Sequence, residues 1–128
     1  MPLLGRRGST TTFIQTLRNI LDEGKELSKK DPERAKIVLR EILRLINYAT
    51  DGEKLAIENN KDEVIKILLE AAFLLFEMGF KELSVDFFEK VKEYNPKLPE
   101  PYYQIAKILA SQNIQLSYAL ANLQKAVE

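Results

Sequence analysis

Two glutamates, Glu70 and Glu77, have the residue type and spacing that acid–base catalysis requires. They lie seven residues apart, so a helix would place both carboxylates on one face. The chain, however, contains no histidine and no cysteine, which removes the commonest general base, the commonest metal ligand and thiolate nucleophiles. It also has no glycine-rich phosphate loop and no metal-spaced acidic cluster. We therefore interpret the two glutamates as surface charge and predict a protein that is not an enzyme and holds no cofactor or metal.

A second group of charged residues forms a basic row. Lys36, Arg40 and Arg44 recur every four residues, which places them along one face of a helix. Such a row suits an acidic protein surface, a phosphate group or an anionic lipid. The alternative is a solvated helix face that Glu33 and Glu41 partly neutralise. Because the formal net charge is zero and no nucleic-acid-binding motif is present, we expect no nucleic-acid partner.

The composition is that of an ordinary globular domain. Apolar residues make up 45% and charged residues 30% of the 128 positions, which argues against disorder and is enough to form a core. The longest apolar run covers only residues 71–76, whereas a membrane-spanning helix needs about 20 such residues. The first residues lack the apolar stretch of a secretory signal. We therefore predict one cytoplasmic domain without a transmembrane segment.

Helix signals divide the chain into elements. Residues 1–11, rich in Gly, Ser and Thr, indicate a flexible arm. Thr12 and Gln15 fit a capping box at the first helix, and Asp31 and Pro32 supply the cap and first position of the second. Apolar residues recur at helical spacing, with no strand-like alternation. The sequence predicts an all-α domain over 12–128, with about six helices in antiparallel hairpins at 12–48, 62–98 and 99–128 and an insertion at 49–61.

Small and apolar residues also recur at a longer period. Three such residues of the third predicted helix have counterparts 34 positions later: Leu68, Ala72 and Leu75 correspond to Tyr102, Ala106 and Leu109. Three residues of the fourth predicted helix have counterparts 35 positions later: Ser84, Phe88 and Val91 correspond to Ala119, Leu123 and Ala126. Gly79, between these two helices, stands where a left-handed C-terminal cap is expected. One register of this kind, with a single extra residue in the second turn between helices, indicates stacked helical hairpins.

With these residues the chain resembles the tetratricopeptide repeat family. A repeat of that family has 34 residues in two helices, with small residues where the helices cross closely and a proline at the exit. Ala72 and Ser84 match the small positions, and Asn95–Pro96 matches the exit turn. The resemblance covers about residues 65–128, and less closely 13–47. It implies hairpins stacked as a right-handed solenoid. The alternative is a six-helix bundle whose helices happen to repeat.

The resemblance also implies a concave groove, lined by the first helix of each hairpin, that binds a protein or peptide partner. The residues expected to face this groove are Lys66, Leu69, Glu70, Phe73, Phe76 and Glu77 in one hairpin and Tyr103, Gln104 and Lys107 in the next. Among them, Leu69, Phe73 and Phe76 form an apolar stripe suited to an apolar peptide or a partner helix. The alternative is that another segment covers this stripe and makes it part of the core.

The last predicted helix, from near Leu116 to the end, offers a second possibility. Leu116, Leu120, Leu123 and Val127 recur at heptad-like spacing, and no polar capping helix follows them, although stacked repeats normally need one. Its face is therefore expected to be exposed or covered by a second subunit, which would make the protein a homo-oligomer. The alternative to a peptide-binding scaffold is thus a helical oligomerisation or docking domain without a peptide groove.

Overall fold

The computed structural model describes residues 10–128, with side-chain contacts from Thr12 onward. This part of the chain forms seven helices and no strand, which confirms the all-α prediction with one helix more than expected. The helices are α1 (Thr10–Ser28), α2 (Pro32–Asn47), α3 (Asp51–Asn59), α4 (Lys61–Glu77), α5 (Lys81–Tyr94), α6 (Pro99–Ser111) and α7 (Leu116–Ala126). None of the helices between residues 10 and 128 combines the length and apolar character that a membrane crossing requires.

The start of α1 differs from the predicted capping box. The helix begins at Thr10, two residues before the position expected for the cap at Thr12. The Gln15 side-chain amide instead donates a hydrogen bond to Oδ1 of Asn19, 2.9 Å away. Of the predicted arm, Thr10 and Thr11 are helical, and residues 1–9 lie outside the described residues.

Two other predicted helix ends are confirmed. The carboxylate of Asp31 accepts a hydrogen bond from the backbone N–H of Arg34 at 3.3 Å and so caps α2. At the end of α4, Gly79 has a φ of 91°, a left-handed conformation that costs glycine little. This conformation lets the N–H of Phe80 donate to the carbonyl of Leu75 at 2.9 Å, which satisfies one of the helix's last carbonyl groups.

The predicted insertion is itself a helix. Thr50 and Glu53 form a reciprocal capping box at the start of α3: the hydroxyl of Thr50 accepts from the N–H of Glu53 at 3.2 Å, and the Glu53 carboxylate accepts from the N–H of Thr50 at 2.9 Å. Ala56 and Ile57 are buried, and α3 packs on α1. Residues 51–59 therefore belong to the folded domain, with one side of α3 buried in its core.

The helices pack chiefly as three sequential pairs, α1 with α2, α4 with α5, and α6 with α7. Small residues allow close crossings in the first two pairs. Gly24 of α1 lies directly against the Leu39 side chain, and the buried Ser84 hydroxyl donates to the carbonyl of Ala72 at 2.8 Å. Between pairs, α1 packs on α4 and α5 packs on α6. The last pair therefore joins the others chiefly through α6, and α7 lies at the outer end.

Candidate protein-binding surfaces

Part of the predicted groove forms one cleft on α4. The cleft has a volume of about 470 Å³. Five predicted groove residues line it together with Leu74 and, from α1, Lys25: they are Lys66, Leu69, Glu70, Phe73 and Glu77. We call it the α4 cleft. The helical spacing that placed these side chains on one face is therefore correct for this helix.

Ion pairs fix α1 beside α4. Arg18 pairs with Glu63, and Lys25 pairs with Glu70 at 2.6 Å. The partners are seven residues apart on both helices, so α1 and α4 run parallel and in register. Because Glu70 is held by an ammonium group, the two glutamates considered for acid–base chemistry differ in setting: Glu70 is paired across the cleft, and Glu77 is exposed.

The apolar stripe of the α4 cleft is only half exposed. Leu69 and Phe73 are partly buried against the core, and the ring of Phe73 meets the ring of Phe88 edge to face, with 5.2 Å between centroids. Phe76 is also partly buried against the core and does not line the cleft. The stripe therefore offers a shallow apolar floor between charged walls.

The remaining predicted groove residues lie on a different surface. Tyr103 and Lys107 line an apolar cleft of about 380 Å³ between α6 and α7, which we call the α6–α7 cleft. Its other lining residues are Ala106, Ala110, Leu116, Ala119, Leu120 and Leu123. Gln104 lines neither cleft, and its amide donates to the carboxylate of Glu100 at 2.7 Å. The structure thus divides the predicted groove between two surfaces.

The α7 leucines complete the α6–α7 cleft, although the predicted groove contained no residue of that helix. Leu116, Leu120 and Leu123 are 53%, 56% and 42% exposed, which is unusual for leucines that share one surface. Their spacing marks them as one face of a helix, so the sequence contained the signal. The spacing alone could not show that this face stays exposed, with no segment of the described chain packed over it.

A polar network attaches α7 to α5. The ammonium of Lys92 donates to the hydroxyl of Tyr118 and to Oδ1 of the buried Asn122, each at 2.9 Å. The Tyr118 hydroxyl donates in turn to Glu89 at 2.6 Å. The same ammonium lies 4.7 Å from the centre of the Tyr102 ring and 5.1 Å from that of Tyr118, in range for cation–π attraction.

The pKa of Lys92 reflects both its burial and these partners. Partial burial favours the neutral amine and would lower the pKa, but the hydrogen bonds to Tyr118 and Glu89 and the charge of Glu89 outweigh it, so the pKa is raised. The charged lysine therefore anchors α7 and sets the position of its leucines.

Two of the three residues of the predicted basic row form ion pairs on their own helix. Lys36 pairs with Glu33 at 3.3 Å and lies 4.8 Å from the centre of the Phe80 ring. Arg44 donates from Nε to the carboxylate of Glu41 at 2.8 Å, and this hydrogen bond, followed by the carboxylate's charge, raises the Arg44 pKa. The ion pairs neutralise the two ends of the row, as the solvated-face interpretation expects.

Lys36 and Arg40 also line a cleft of about 410 Å³ beside the start of α5. Acidic residues share that cleft, namely Glu82 and Asp86. Burial, followed by the charges of Glu89 and Glu82, raises the pKa of Asp86. This cleft therefore combines basic and acidic side chains, and an acidic partner for the basic row stays a prediction.

No family model matches the chain, and no curated protein or solved structure is significantly similar to it. Function is therefore inferred from the clefts and charged surfaces themselves.

Proposed function

We propose that this protein is a non-catalytic protein-interaction module built from hairpins of the tetratricopeptide type. The observation that carries the proposal is the exposed apolar face of the α6–α7 hairpin. Large apolar side chains that are exposed together cost free energy in water and are typical of binding surfaces. A polar network fixes α7 in place, so this face is presented on a rigid element.

A repeated helix end supports the tetratricopeptide-like part of the proposal. Asn113 lies 34 residues after Gly79, and it also has a left-handed backbone, with a φ of 55°. The N–H of Ile114 donates to the carbonyl of Leu109 at 3.2 Å, which repeats the bond made after α4. Such agreement between two turns favours a stacked repeat over a bundle with coincidental similarity, and a right-handed solenoid is the arrangement we propose.

The close crossings support it as well. Gly24 against Leu39, and Ala72 against Ser84, put small residues where the two helices of a hairpin meet, as tetratricopeptide hairpins require. In this proposal α1–α2, α4–α5 and α6–α7 are the three hairpins, and α3 is an inserted helix that packs on the first.

The α4 cleft is the second surface of the proposed module. Its half-buried floor of Leu69 and Phe73, flanked by Lys66 and Glu77, suits an extended peptide with both apolar and charged side chains. It exposes less apolar surface than the α6–α7 face, so we assign the main contribution to partner binding to the latter.

One substitution and a matched control test the proposal. Leu120 and Leu55 are the same residue type and are 56% and 57% exposed, but Leu55 lies on α3. We expect Leu120→Glu to lose the binding partners that the wild type retains in affinity capture, and Leu55→Glu to keep them. Circular dichroism should show unchanged helicity in both variants. Equal capture by wild type and Leu120→Glu would contradict the proposed role of this face.

Self-association is the second candidate function. Leu116 at the start of α7 and Val127 just after its end are both exposed, so the apolar face extends along the whole helix. Light scattering after size exclusion, over a range of concentrations, distinguishes the two. A dimer that Leu120→Glu converts to a monomer, while Leu55→Glu does not, would favour an oligomerisation domain. A wild type that stays monomeric would leave the binding of a different protein as the function.

A further inference from the structure

The two repeated hairpins differ at the positions that open the α6–α7 cleft. In α4, Phe73 and Phe76 pack against the core, and Phe73 contacts Phe88 of α5. The residues 34 positions later are Lys107 and Ala110, and Leu123 replaces Phe88. The α6–α7 hairpin therefore lacks the rings of Phe73, Phe76 and Phe88 at the corresponding positions, and Tyr103, in place of Leu69, is the aromatic residue that lines its cleft.

The cleft is large enough to accept such rings from outside. Its volume is about 380 Å³, whereas an apolar cavity of about 150 Å³ holds one benzene molecule. Apart from the Lys107 ammonium and the Tyr103 hydroxyl, the side chains that line it are alanine and leucine. A ring placed between Ala106 and Leu123 would thus meet apolar atoms on both sides.

The charge of the cleft lining indicates which kind of molecule would supply these aromatic rings. Among the described residues, Lys107 is the only charged one that lines the cleft, and its ammonium lies 5.4 Å from the centre of the Tyr103 ring. A second copy of the chain, packed face to face by two-fold symmetry, would bring two lysines together and supply no carboxylate from this surface. A partner with an acidic residue would neutralise the ammonium instead.

We infer that the α6–α7 cleft binds an amphipathic helix of another protein, which inserts one or two phenylalanine-sized side chains and pairs an acidic residue with Lys107. This inference rests on the proposed function and adds the chemistry of the partner. The aromatic side chains would occupy the space that Phe73 and Phe76 fill in the preceding hairpin. The aromatic anchor supplies most of the affinity, and the acidic residue sets orientation and preference.

Designed peptides test the inference. The probe is an alanine- and glutamine-based helix of about 18 residues, since shorter isolated helices are only marginally stable. It carries two phenylalanines three residues apart and one glutamate on the next turn. One control peptide replaces both phenylalanines by alanine, and another replaces the glutamate by lysine. Amide chemical shifts of the full chain report both the affinity and the residues that respond.

We expect shifts centred on α6 and α7, with binding about tenfold weaker for the alanine peptide. The lysine peptide should bind about three- to fivefold more weakly than the glutamate peptide, because a partly exposed charge pair contributes little more. Lys107→Glu should reverse this preference. The double variant Lys107→Phe/Ala110→Phe should fill the cleft from within and reduce binding of the probe about tenfold, without lowering the melting temperature. If the double variant does not fold, the reversed preference of Lys107→Glu for the lysine peptide still tests the inference.

The possible failures have different meanings. Binding at α6 and α7 that depends neither on phenylalanine nor on charge would overturn this inference and leave the proposed function intact. Self-association through the same face, without binding of any peptide, would make a second copy the occupant and overturn the inference. Shifts confined to the α4 cleft would overturn both the inference and the assignment of the α6–α7 face.

Discussion

Replacing Gly24 by alanine tests whether α1 and α2 cross as closely as tetratricopeptide-like hairpins should. A Cβ atom added to Gly24 would lie 2.4 Å from Cδ2 and 2.7 Å from Cγ of Leu39. Favourable contacts between carbon atoms lie near 3.5–4 Å, so both distances are strongly repulsive. Leu39 is fully buried and cannot turn its side chain into solvent to avoid the new methyl group.

Two effects of opposite sign determine the size of the change. Alanine is favoured over glycine in a helix interior by about 1 kcal/mol, which stabilises the variant. Overpacking a well-filled core costs about 1–3 kcal/mol, and here two atoms of one buried side chain are too close, which places the cost in the upper part of that range. We therefore expect Gly24→Ala to lower the free energy of unfolding by about 1–2 kcal/mol.

Urea denaturation followed by far-ultraviolet circular dichroism measures this change. With a slope of about 2 kcal/mol per molar urea, the unfolding midpoint should fall by about 0.5–1 M. Gly52→Ala is the matched control, because Gly52 is also helical but has no atom within 4 Å of the added Cβ. Its midpoint should stay the same or rise.

The effect of Gly24→Ala on stability should change sign when the Leu39 side chain is removed. In a Leu39→Ala background, Gly24→Ala no longer meets Cδ2 or Cγ, so the helix preference for alanine should dominate and raise stability by up to about 1 kcal/mol. A Gly24→Ala variant that is more stable than the wild type, or that has the same effect in both backgrounds, would refute the close crossing.

Three further predictions concern other parts of the fold. Gly79→Ala should cost about 1 kcal/mol because it places a side chain at a φ of 91°, whereas Asn113→Gly should be neutral or stabilising; thermal denaturation compares them. Burial, and then nearby carboxylates, raises the pKa of Tyr94 from 10.0 to about 12. The folded chain thus holds this proton more tightly than the unfolded chain, so the associated stability is present below pH 10 and is lost as the pH rises through about 12. Over that interval Tyr94→Phe should lose less stability than the wild type. Lys92→Met removes the donor to two α7 side chains and should cost about 1–2 kcal/mol, with amide exchange in α7 accelerated more than in α1.

Local signals explain which elements could be predicted from the sequence. Asp31 before Pro32 and Gly79 between two apolar runs specify helix ends through bonds to neighbouring backbone groups, so they need no information from the rest of the fold. For the insertion at 49–61, Asp51–Gly52 and Asn59–Asn60 indicate turns with room for a short helical turn between them, so a helix over all of Asp51–Asn59 was not predicted although Thr50 and Glu53 carry a complete capping-box pattern.

Exposure could not be predicted in the same way, because it depends on what packs against a helix. Leu69 and Phe73 have the spacing of a groove stripe, but the edge contact with Phe88 and the ion pair of Lys25 with Glu70 make their cleft shallow. Neither contact follows from the period of α4. Helical spacing therefore brought five of the predicted groove residues to one cleft, whereas it could predict neither the separation of Tyr103 and Lys107 from them nor the depth of the cleft.

The α6–α7 face shows why a repeat is more informative than helical period alone. By period, the leucines at 116, 120 and 123 are equivalent to core residues, and nothing in α7 itself distinguishes a core face from a binding face. The comparison with the preceding hairpin does, because it identifies Lys107 and Ala110 as replacements for Phe73 and Phe76. Where the second hairpin has Lys107, Ala110 and Leu123 in place of Phe73, Phe76 and Phe88, the space without those rings is a cleft of about 380 Å³. Its chemistry then follows from the one charge that replaced a ring, so the most specific feature of the proposed binding surface is the departure from the repeat.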